Sequence, residues 1–62
     1  MKEYLVFIGD VYYPNPGIED FKKDFDDLDE AKEFANKNTE RNMWCQIAKY
    51  STFEIVYESW PR

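Results

Sequence analysis

Histidine is absent from this chain, and Cys45 is its only cysteine. The first absence removes the commonest general base and metal ligand. With the second it excludes a zinc site of the ordinary nitrogen-and-sulfur kind. A single thiol forms no intrachain disulfide, and an unpaired cysteine fits a reducing compartment. Cys45 alternates with Met43 and Ile47, so it reads as a buried apolar residue; no histidine is present to make it a nucleophile. Metal, cofactor and catalytic residues are therefore all expected to be none.

Basic residues are also few. Eight Lys and Arg face thirteen Asp and Glu, and only Lys22 and Lys23 are adjacent. A net charge of −5 repels phosphate backbones and anionic lipids, which argues against direct binding of nucleic acid or membrane. The apolar run 4–8 is too short for a signal-peptide core, and nothing approaches a transmembrane span. These absences predict a soluble, cytoplasmic protein. Sixty-two residues make one small domain, 1–62, and a domain of this size is of marginal stability. With disulfide and metal excluded, self-association is the remaining support, so a homodimer is expected.

What the chain does have is acid and aromatic rings. Eight of the fifteen residues from Glu19 to Glu33 are acidic: Glu19, Asp20, Asp24, Asp26, Asp27, Asp29, Glu30 and Glu33. Five Phe, five Tyr and two Trp accompany them.

Alternation predicts strands over 3–8, 21–25, 43–50 and 52–60. In the first, Tyr4, Val6 and Ile8 share one face and Leu5 and Phe7 the other; both are apolar, as a central strand requires. The second is short and half polar, which suits an edge. Asp27 and Glu30 form a capping box ahead of Leu28, Ala31, Phe34 and Ala35, and that spacing predicts a helix over 28–37 with Asn38 as a left-handed stop. Glu33 can pair with Lys37 one turn later. The order is strand, strand, helix, strand, strand. A right-handed crossover then gives an α+β, ββαββ fold, an antiparallel sheet ordered 2-1-3-4 with the helix on one face. The other face is expected to expose some of Leu5, Phe7, Trp44, Tyr50, Tyr57 and Trp60. Of these, Leu5, Phe7, Trp44, Tyr57 and Trp60 are the candidate dimer contacts.

Tyr4-Leu5-Val6-Phe7, Gly9-Asp10, Tyr12-Tyr13-Pro14, Gly17, Asp20-Phe21, Phe25 and Leu28-Asp29-Glu30-Ala31 together resemble a group of small phage and prophage proteins. The likeness covers roughly the first half of the chain. The group's pattern prefers a Gly-Gly pair and a tryptophan after Tyr-Tyr-Pro, where this chain has Pro16 and Ile18. The resemblance implies a viral or mobile-element origin and brings no catalytic residues with it.

The acidic block has a local explanation. Negative charge near a helix N-terminus is favoured by the macrodipole, typically by about 0.3–1 kcal/mol per charge. That covers Asp26, Asp27, Asp29 and Glu30 but not Glu19, Asp20 and Asp24. Carboxylates 26, 30 and 33 would form a row of about 10 Å along one side of the helix, able to imitate a phosphate backbone. The block lacks the ligand spacing and central glycine of an EF-hand, and so small a domain leaves little room for the buried site that a catalytic carboxylate needs. Tyr12 and Tyr13 are either rim packing for a small core or hot-spot contacts on a proline-stiffened loop. The residues expected to meet a partner are Tyr12, Tyr13, Glu19, Asp20, Asp24, Asp26, Glu30 and Glu33. The predicted function is a non-enzymatic binding protein that docks on a host protein, an inhibitor of a nucleic-acid-handling or defence enzyme being its sharpest form. The alternative is a homodimeric structural or assembly protein whose acids keep it soluble.

Overall fold

The computed structural model of the chain describes residues 1–10 and 20–61. Its elements are β1 (Tyr4–Asp10), β2 (Phe21–Phe25), α1 (Leu28–Asn38), β3 (Met43–Lys49) and β4 (Ile55–Ser59). The sheet is antiparallel in the order β2-β1-β3-β4, so the apolar N-terminal strand is central and the two short strands are the edges. This is the α+β architecture that the alternation and the single helical stripe predict.

One face of the sheet carries Val6, Ile8, Cys45 and Ile47, all buried beneath Ala31 and Ala35 of α1. Two alanines at that contact let the helix lie close to the strands, and Leu28 and Phe34 close the sides. The helix starts at Asp27, whose carbonyl accepts the Ala31 N–H at 3.1 Å, but the Asp27 side chain makes no capping hydrogen bond. The expected capping box is thus not formed. The stop differs too. Asn38 remains helical, donating its side-chain amide to the Phe34 carbonyl at 2.8 Å, and Thr39 closes the helix in an extended conformation. The left-handed residue is Asn42 (φ 66°), in the turn that feeds β3.

The opposite face is not the open apolar surface that was expected. Leu5, Trp44, Gln46 and Ala48 on it are buried within the single chain. Trp44 lies opposite Gly9, and a Cβ at Gly9 would come within 2.4 Å of the indole ring. Lacking that atom, β1 lets the ring lie across its backbone, where the indole N–H donates to the Asp10 carbonyl at 2.9 Å. Trp60 then stacks on Trp44, with centroids 5.6 Å apart.

Both edge strands carry an irregularity. The β1–β2 register skips Lys22, and the β3–β4 register skips Val56. The second skip puts Tyr57 opposite Ile47, on the helix side, while Ile55 falls opposite Ala48 on the other face. Tyr57 therefore packs on the helix-side core, lies 5.2 Å from the Lys32 ammonium, and donates its hydroxyl to Asn36 at 3.0 Å. Its placement on the helix-free face is corrected by that one extra residue.

Candidate functional site

The acidic residues gather where β2 turns into α1. Asp26, Asp27, Asp29, Glu30 and Glu33 are all exposed there. None of the five forms a hydrogen bond or ion pair with another side chain among the described residues; Glu33 and Lys37 do not make the expected pair. The carboxylates stand on a braced element. Phe25 of β2 tilts against Phe34 of α1 at 5.3 Å, and the Lys23 ammonium sits over both rings, 5.3 Å and 6.0 Å from their centroids. Glu30, Glu33, Phe34, Lys37 and Phe25 line a shallow depression of about 300 Å³ on this side of the helix. Its floor is apolar and its rim carries Glu30, Glu33 and Lys37.

Asp24 separates from this group. It lies opposite Leu5, and its carboxylate accepts the Lys2 backbone N–H at 2.9 Å. That hydrogen bond, helped by the Lys2 and N-terminal charges, holds the Asp24 carboxyl below its ordinary value. Asp24 thus has structural work, tying the N-terminus to β2. Asp20 is half-buried and takes part in an interaction of its own. Tyr12, Tyr13 and Glu19 lie outside the described residues. Of the residues expected to meet a partner, the structure brings Asp26, Glu30 and Glu33 to one corner and leaves Asp24 on the sheet.

The candidate dimer contacts do not form one exposed surface. Leu5 and Trp44 are buried, Phe7 is half-buried in an edge-to-face contact with Phe21, and Tyr57 is on the helix side. Only Trp60, 40% exposed, presents a ring to solvent. Among the described residues no three His, Cys, Asp or Glu are grouped to hold a metal ion, and no helix is long and apolar enough to cross a membrane.

The exposed apolar side chains lie elsewhere, and of them the alternation pattern pointed to Tyr50 and Trp60 but not to Phe53, Ile55 or Val56. Tyr50, Phe53, Ile55, Val56 and Trp60 are exposed along β4 and the turn that leads into it. Phe53 falls in that turn rather than in the strand, with φ 59°. The Lys49 carbonyl accepts the Phe53 N–H at 2.6 Å, and the Glu54 carbonyl accepts the Lys49 N–H at 2.8 Å. A left-handed conformation strains a residue with a Cβ by about 1–2 kcal/mol and is ordinarily given to Gly or Asn. Glu3 braces the same turn. Its carboxylate accepts both the Ser51 N–H (3.1 Å) and the Ser51 hydroxyl (2.9 Å), and these bonds hold the Glu3 carboxyl below its ordinary value.

A helix on one face of an open four-stranded antiparallel sheet, with exposed charge and exposed rings on the outside, defines a small α+β protein. The chain belongs to the family described as bacteriophage T4 protein Y07C, whose model matches residues 4–59. The match runs from the first residue of β1 to the last of β4, so the phage family is defined over the whole sheet and not only the N-terminal half. No curated protein and no solved structure matches the chain.

Proposed function

We propose that this phage protein is a non-enzymatic binding protein that docks on a host protein, with the β2–α1 corner as the contact. One observation carries the reading: Asp26, Asp27, Asp29, Glu30 and Glu33 are exposed on a braced element and spend none of their charge on partners among the described residues. A helix dipole accounts for negative charge in the first turn, but it does not account for Glu33, a turn further on. Carboxylates held in a row are complementary to a surface that binds phosphates, so the fitting partner is a basic patch on a nucleic-acid-handling or defence enzyme, and the effect of docking is inhibition by occupation.

The test is capture of the host partner followed by titration with the Asp26→Asn, Glu30→Gln, Glu33→Gln triple variant. Neutralising three desolvated charge contacts should weaken binding by tenfold or more, at about 1.4 kcal/mol per decade, and wild-type affinity should fall steeply with added salt. Equal affinity of the two proteins at low salt would remove the acidic corner from the interface.

A further inference from the structure

We draw no further inference here: the strongest candidate, the patch of exposed apolar side chains on the β3–β4 turn and β4, carries nothing, because nothing in the structure shows what covers it.

Discussion

Gly9 is decided by a single neighbour. None of the described glycines has a positive φ, so its role is not conformational freedom. In that situation a Gly→Ala change ordinarily stabilises by about 0.4–1 kcal/mol through the unfolded chain. Here the added methyl would meet the Trp44 ring at 2.4 Å, and Trp44 is fully buried and hydrogen-bonded, so it has no free direction in which to move. Overpacking of this kind costs about 1–3 kcal/mol, which outweighs the gain. Gly9→Ala should therefore lower the thermal midpoint by roughly 5 °C or more. An unchanged or raised midpoint would show that the indole is not seated on β1.

At the scale of elements, Glu3 joins the start of the central strand to the turn after β3, and Asp24 joins β2 to the N-terminus. Both carboxyls titrate below their ordinary values in the folded protein. Groups with depressed pKa contribute stability that is present above the unfolded value, near 4, and is lost as pH falls through the folded one. Thermal midpoints measured from pH 7 down to about 2 should thus fall more gently at the acid end for Glu3→Gln and Asp24→Asn than for the wild type. Identical acid limbs would disprove both clamps. Much of the architecture was legible at this scale. The two-sided apolar pattern of residues 4–8 made β1 central, and Leu28, Ala31 and Ala35 announced the buried stripe of α1. What alternation does not encode is a skipped residue: one unpaired position at Val56 moved Tyr57 to the helix side and Ile55 to the other. Nor does it encode that a glycine makes room for a tryptophan directly opposite it on the neighbouring strand, which is why Leu5 and Trp44 read as exposed contacts and are core. Asp24 looked unexplained only because its partner is a backbone amide at the far N-terminus, invisible to side-chain bookkeeping. Among the acids, helical spacing places Glu30 and Glu33 on α1, while Asp26 precedes the helix in the turn from β2.

Considered whole, the molecule separates its surfaces by strand order. The acidic corner belongs to the β2 edge and the exposed apolar side chains to the β4 edge, with the two central strands between. Added salt should weaken a contact made by the carboxylates of the β2 edge, while the apolar side chains of β4 offer no charge for it to screen.

The position of β1 also governs when the chain can fold. Its longest ladder is with β3, where Tyr4 lies opposite Lys49, so β1 has to wait for a strand that is synthesised well after it. Non-local pairing of this sort makes the closing of the sheet the slow step. A nascent chain ending at Asn42 holds β1, β2 and α1 but lacks the strand that completes the core. A polypeptide of residues 1–42 should therefore show no cooperative thermal transition by circular dichroism, and a sharp one would mean that the N-terminal half folds unaided. Folding of this unit is in that sense all-or-none: a chain truncated before β3 lacks the strand that completes the core, so the surfaces described above have no frame to stand on.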